Sequence, residues 1–188
     1  MTFEFQAWPK TPRLSSTGMV ITEKIDGTNA AIQFDEHGAW AAQSRKRLIT
    51  PQDDNFGFAR WVDENAHVLF EVLGPGIHFG EWWGSGIQRG YGLTNGDKRF
   101  SLFNTGRWDA DDLRDIVPGL GVVPVLRLHQ FDTAVIKETV EELKASGSHA
   151  APGFMRPEGV IVYVRTLDKV LKVLIENDDI PKTLAAAA

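Results

Sequence analysis

Glu23-Lys24-Ile25-Asp26-Gly27-Thr28-Asn29 separates two short apolar runs, Met19–Thr22 and Ala30–Phe34. Each run has the length of a strand, and Asp-Gly between them is a hairpin signal. The chain continues in the same manner on both sides. Extended runs recur at Ala39–Gln43, Val68–Val72, Ile77–Trp83, Arg99–Asn104, Val122–Leu128, Val160–Arg165 and Val170–Ile175, punctuated by Gly, Pro, Asn and Asp. Three stretches predict helices: Asp54–Ala66, Asp109–Ile116 and Asp132–Ser146. The last has Asp132 as N-cap, Val135, Ile136, Val140 and Leu143 as an apolar stripe, and Gly147 beyond its end. Strands outnumber helices and do not alternate with them, which predicts an α+β fold with mainly antiparallel sheets. Gly84–Gly96 holds five glycines in thirteen residues and is expected to be the most flexible segment.

Composition narrows the chemistry. The chain has 188 residues, 43% hydrophobic and 24% charged, the balance of one globular domain. It contains no cysteine, which excludes disulfides, thiolate metal sites and cysteine nucleophiles. No apolar run approaches the roughly 18 residues of a membrane span. The net charge of −5 argues against a histone-like coat binder but leaves room for a local basic groove.

Polar residues set into apolar strands mark a site. Lys24 and Asp26 come first, then Glu81 in Phe79-Gly80-Glu81-Trp82-Trp83-Gly84, Asn104 after Phe100-Ser101-Leu102-Phe103, Glu158 before Gly159-Val160-Ile161-Val162, and Lys172 between Leu171 and Val173. Burying such groups without partners costs several kcal/mol, so four interruptions in order suggest a lined pocket rather than four edge strands. Period-two alternation puts Lys172 on the face of Val170 and Leu174. Trp82 and Trp83 are neighbours, so one is expected to face the core and the other the cleft or solvent. His37, His67, His78, His129 and His149 have no ligand spacing.

This ordered set resembles the covalent nucleotidyltransferases, the superfamily of polynucleotide ligases and capping enzymes, through Lys24-x-Asp26-Gly27. It is most similar to the RNA ligase 2 family, through Thr28-Asn29, Ser44-Arg45 and Phe79-Gly80-Glu81 leading into Gly86-Ile87-Gln88. The resemblance covers about Trp8 to Asn177. It implies a nucleotidyltransferase, ATP-grasp-like ligase domain with helices flanking its sheets around a nucleotide cleft.

The resemblance also implies roles. Lys24 is the nucleophile that forms a lysyl-AMP phosphoramidate from ATP, with Mg2+ or Mn2+ on the phosphates. A lysine attacks only as the neutral amine, so such a site lowers the ordinary value of about 10.4. Lys172 and the metal supply the positive field, and Glu158 holds the metal through hard carboxylate oxygen. Glu23 helps hold the adenine edge, Glu81 accepts from ribose hydroxyls, and Phe103 stacks on the base, with a core position as its plain alternative. Arg45 contacts the nucleotide and RNA end, or belongs to the solvated run Arg45-Lys46-Arg47. Asn29 orients the metal shell or the RNA terminus, and Asp26 does likewise or shapes the turn. Two departures stand out: Leu174 occupies the place of a usual second lysine, for which Lys169 is one candidate substitute, and Asn104 the place of a common acid.

The implied reaction is RNA ligation in three steps: enzyme adenylylation, AMP transfer to an RNA 5′-phosphate, and attack by a 3′-hydroxyl. A DNA ligase, a capping-type guanylyltransferase and a catalytically silent nucleic-acid-binding relative are the rivals. Residues 1–184 are expected to form a single adenylyltransferase domain, monomeric and without a further C-terminal domain, and 185–188 an artificial tail. RNA is the expected partner, held in a short groove by Arg45, Lys46, Arg47, Lys98 and Arg99, with room for a protein partner that adds grip and no role for a membrane. A cytoplasmic location and a phage or bacterial source fit the resemblance.

Overall fold

The computed structural model describes residues 3–11, 13, 16–108, 113, 115–176 and 178. In chain order its elements are β1 (Gly18–Lys24), β2 (Thr28–Phe34), β3 (Trp40–Ser44), β4 (Leu48–Ile49), α1 (Phe58–Leu73), β5 (Gly76–Gly84), β6 (Lys98–Leu102), β7 (Leu120–Val122), β8 (Val125–Gln130), α2 (Thr133–Ser146), β9 (Gly159–Val164) and β10 (Lys169–Leu174). One sheet has the order β10-β9-β1-β8 and the other β4-β3-β2-β5-β6-β7. Every pairing is antiparallel except β6 with β7, so the α+β expectation holds.

Each sheet covers one face with a helix. On the six-stranded sheet, Ile32, Phe34, Trp82, Phe100 and Leu102 pack with Phe58, Val62, Leu69 and Leu73 of α1. On the four-stranded sheet, Met19, Ile21, Val160, Val162 and Val164 pack with Ile136, Val140 and Leu143 of α2. Strand alternation leaves the opposite faces for the cleft.

Three expectations need correction. Val68–Val72, read as a strand, is the last part of α1: Leu69 and Leu73 carry on the buried stripe of Val62, and the Gly74 N–H closes the helix on Phe70 O. A continuous apolar run does not reveal its period, and here helical packing decides it. Asp54 does not begin this helix; its carboxylate accepts from Ala59 N and Arg60 N, capping from outside. Val122–Leu128 is two strands, because β7 belongs to one sheet and β8 to the other. Pro124 lies between them, where a missing N–H costs no ladder bond, and its carbonyl accepts from Glu23 N at 2.9 Å. The helix expected at Asp109–Ile116 falls largely outside the described residues, as does 185–188. The third helix is as expected, with the Asp132 carboxylate accepting from Ala134 N.

Gly80 lets β5 and β6 approach closely. A Cβ there would lie 2.5 Å from the Ser101 carbonyl oxygen and 2.6 Å from the Phe100 ring. Overpacking of that kind costs about 1–3 kcal/mol. Gly80→Ala is expected to lower the melting temperature by about 5 °C, measured by circular dichroism. An unchanged melting temperature would mean that the two strands part without cost.

Candidate active site

The uncovered faces of the two sheets bound a cleft of about 1580 Å3. From the four-stranded sheet it is lined chiefly by Val20, Thr22, Lys24, Ile161, Tyr163, Val170 and Lys172, which share one face, with Glu23, Val125 and Leu128 also at its border. From the six-stranded sheet come Asn29, Ile77, Phe79 and Glu81, and from just beyond the ends of β3 and β6 come Arg45 and Phe103. Ile77 and Phe79 are each 53% exposed, so the cleft wall is apolar and aromatic although it faces solvent.

Lys24 ends β1 and forms an ion pair and hydrogen bond with Glu158, which directly precedes β9. The lysine side chain is 19% exposed and the glutamate 4%. Lys172 lies opposite Ile161, and Ile161 lies opposite Thr22, so its side chain joins the same face as Lys24. The expected pocket position of Lys172 therefore agrees with its place in the cleft wall. Leu174 lies opposite Gly159 and Gly159 opposite Lys24, which puts a partly buried leucine where relatives are expected to hold a second lysine. Lys169 has the opposite parity and does not line the cleft, so it is no substitute. Arg107 and Arg165 do line it.

Glu81 organises the turn after Lys24. Its carboxylate accepts from Gly27 N at 3.1 Å and Asn29 Nδ2 at 2.9 Å. The approach is close enough that a Cβ on Gly27 would lie 2.4 Å from the Trp82 carbonyl oxygen. Burial pushes the Glu81 carboxyl up from its ordinary 4.5 to about 7, against the pull of Lys24 and the Gly27 amide and with help from the Glu158 and Asp26 charges.

The Glu23 carboxylate is engaged within the fold. The residue is 1% exposed, and its carboxylate accepts from Ser148 Oγ at 2.6 Å, His149 N at 2.8 Å and Ala150 N at 2.9 Å. Glu23 has the opposite parity to Lys24, and its carboxylate anchors the 148–150 loop. Burial raises its pKa, opposed by those hydrogen bonds.

Phe103 is 44% exposed and belongs to the cleft wall, not the core. Trp82 and Trp83 are both buried, which corrects the expected split. Trp82 joins the α1 core and donates to Phe56 O, while Trp83 belongs to a satellite cluster with Ile25 and Tyr91 and donates to Ser101 Oγ. The five-residue basic groove does not form. Arg47 is held by Asp53, and Arg99 lines a second cavity and stands over the Trp83 ring beside Asp97, so only Arg45 of that set reaches the cleft. Phe79, Arg107 and Arg165 went unread in the sequence, although Phe79 shares its face with Glu81 by simple alternation. Among the described residues no group of three or more His, Asp or Glu forms a metal cage.

Glu81 makes stability depend on pH. Its carboxyl ionises near 4.5 in the unfolded chain and near 7 in the fold, so the native state holds the proton longer between those values. Stability therefore falls as pH rises through that window. The melting temperature is expected to drop from pH 5 to pH 8, and Glu81→Gln to flatten the drop. An equally steep drop in the variant would show that Glu81 is not the group responsible.

Comparison with known proteins bears on the fold and the family. A Naegleria gruberi RNA ligase variant in its apo form superimposes with a TM-score of 0.61 at 14% identity, over 86% of this chain and 50% of that one. A lysine-to-methionine variant of the Naegleria ligase with AMP and Mn gives 0.60 at 14% identity, and the ligase with PPi gives 0.60 at 16%, both over the same shares. The chain thus spans about half the length of these ligases, and the likeness is one of fold. No curated protein sequence matches it. The RNA ligase family model, however, matches residues 18–174. That match runs from the first residue of β1 to the last of β10 and takes in every strand of both sheets, so the chain belongs to the RNA ligase family.

Proposed function

We propose that this chain is the adenylyltransferase domain of an ATP-dependent RNA ligase of the RNA ligase 2 type. The observation that carries the reading is the Lys24–Glu158 pair at the cleft, with Lys172 on the same face. The Lys24 amine attacks the α-phosphorus of ATP, forming an N–P bond as the P–O bond to pyrophosphate breaks. Glu158 accepts a hydrogen bond from the attacking nitrogen, where it is placed to take the proton that the ammonium must lose. Lys172 offsets charge on the α-phosphate. Phe79 and Phe103 offer π-faces to the adenine, and Glu81 and Asn29 stand at the turn where ribose hydroxyls would be read. Arg45, Arg107 and Arg165 suit the 5′-phosphate of an RNA end.

A divalent ion fits the donor set. Mg2+ takes one or two carboxylates and fills its shell with phosphate oxygens and water, so a single buried Glu158 suffices. Bound there, Mg2+ or Mn2+ would stabilise charge on the phosphates and compete with Lys24 for the carboxylate. The AMP and Mn bound to the Naegleria ligase are in keeping with this choice. The lysyl-AMP then passes AMP to an RNA 5′-phosphate, and a 3′-hydroxyl displaces it. RNA is the partner this chemistry implies, and a cytoplasmic setting suits it; among the described residues no helix is long and apolar enough to cross a membrane.

Intact mass after incubation with ATP and magnesium is expected to show one AMP adduct, absent with GTP or NAD and lost in Lys24→Ala. That variant should still seal RNA already adenylylated at its 5′ end. An adduct persisting in it would move the nucleophile elsewhere, and failure of the wild type to label with any nucleotide would leave a silent binding relative.

Lys172→Ala is expected to slow adduct formation by roughly 10²–10³, the usual cost of one transition-state donor. Labelling at the wild-type rate would place Lys172 outside the chemistry.

A further inference from the structure

The glycine-rich segment 84–96, expected to be flexible, is tied to the nucleophile loop at two points. Tyr91 is 1% exposed, with its ring against Trp83 and Phe154. Its hydroxyl accepts from Asp26 N at 2.9 Å and reaches the Lys24 carbonyl at 3.5 Å. Burial pushes the phenol well above its ordinary value, so the proton stays on the oxygen. Arg89 donates from Nε to Asp26 Oδ2 at 3.2 Å and from a terminal nitrogen to Arg156 O at 3.0 Å, and its other terminal nitrogen lies 3.8 Å from Glu176.

Those partners are not scattered. Asp26 is two residues beyond Lys24, Arg156 two before Glu158, and Glu176 four beyond Lys172. One guanidinium therefore reaches segments that flank Lys24, Glu158 and Lys172. Backbone strain supports the same conclusion. Tyr91 has φ +51° and ψ +30°, the left-handed region that an aromatic residue rarely adopts. Such a residue persists where its surroundings over-determine it, which points to a function for the placement. A glycine would make that turn without strain, but it would leave the Asp26 N–H without this partner and the satellite cluster without its ring.

We propose that Arg89 and Tyr91 are positioning residues that fix the Lys24–Gly27 loop for attack on the nucleotide, so that the glycine-rich segment acts as a rigid strap on the nucleophile. This rests on the reading of Lys24 as the adenylylated residue. Neither side chain touches the reacting atoms; each acts through the backbone or carboxylate of Asp26. Misplacement of a reacting group by about 1 Å costs of the order of 10²-fold in rate, while nucleotide affinity, set by the cleft walls, need not change.

The test is the rate of Lys24–AMP formation against ATP concentration, for wild type, Tyr91→Phe, Arg89→Met and Arg89→Lys. Tyr91→Phe keeps the ring and removes only the hydroxyl, so it is the variant least disposed to misfold. It is expected to lower kcat for adenylylation by about 10- to 100-fold with KM for ATP within about twofold, and to speed hydrogen exchange at the Asp26 amide. Arg89→Met should do the same, and Arg89→Lys should recover part of the loss. A merely structural role would lower the melting temperature and the fraction of labelled protein without this split between kcat and KM. Variants labelling at the wild-type rate would overturn the inference alone; a wild type that never labels at Lys24 would overturn the adenylylation reading and this inference with it.

Discussion

The Lys24–Glu158 pair is the constraint around which the rest is arranged. Taking two opposite charges largely out of water costs several kcal/mol per ion, and their attraction repays this only with good geometry and further hydrogen bonds. Two apolar side chains of similar volume would serve packing at least as well. A lysine and a glutamate at this place are thus poor evidence for stability. The surroundings answer the cost. Glu158 is nearly covered, Glu81 is drawn in beside the same turn, and its carboxyl titrates near neutrality because burial outweighs the neighbouring lysine.

Two sheets with opposed uncovered faces make such a site possible. Each sheet spends one face on a helix, so its other face is left for the cleft. The chain crosses from one sheet to the other at Val123-Pro124, between β7 and β8, and again at the 25–27 turn, between β1 and β2. Each is tied to a strand beside it: Pro124 O accepts from Glu23 N of β1, and Glu81 of β5 accepts from the Gly27 amide of the 25–27 turn.

What was legible in the sequence follows from period two. Alternation alone puts Lys172 with Val170 on the cleft face, and the same parity rule, applied to Phe79-Gly80-Glu81, would have found Phe79. What was not legible depends on partners far along the chain. Nothing local tells that Val68–Val72 continues a helix, since its apolar run suits either period and only Val62 and the α1 packing choose. Arg45, Lys46 and Arg47 look alike in sequence, yet Asp53 takes Arg47 and leaves Arg45 for the cleft. Two buried tryptophans in succession defeat alternation because a satellite cluster covers the cleft-side one.

Glu23 and Lys24 show how one strand serves two masters. Adjacent residues point to opposite faces, so the glutamate carboxylate goes to the helix side and the lysine amine to the cleft. On its side Glu23 accepts three hydrogen bonds from the 148–150 loop, which follows α2 and leads towards Arg156 and Glu158. The carboxylate before Lys24 therefore anchors the segment that delivers Glu158, the partner of Lys24. A neutral residue at 23 would leave the Ser148 hydroxyl and two backbone amides short of an acceptor, with a cost of about 1–3 kcal/mol for each buried group left unpaired. Chemistry and architecture are thus separated by parity on β1 and rejoined through the loop, and the burial that raises the pKa of Glu23 is a consequence of that second task rather than a sign of catalysis.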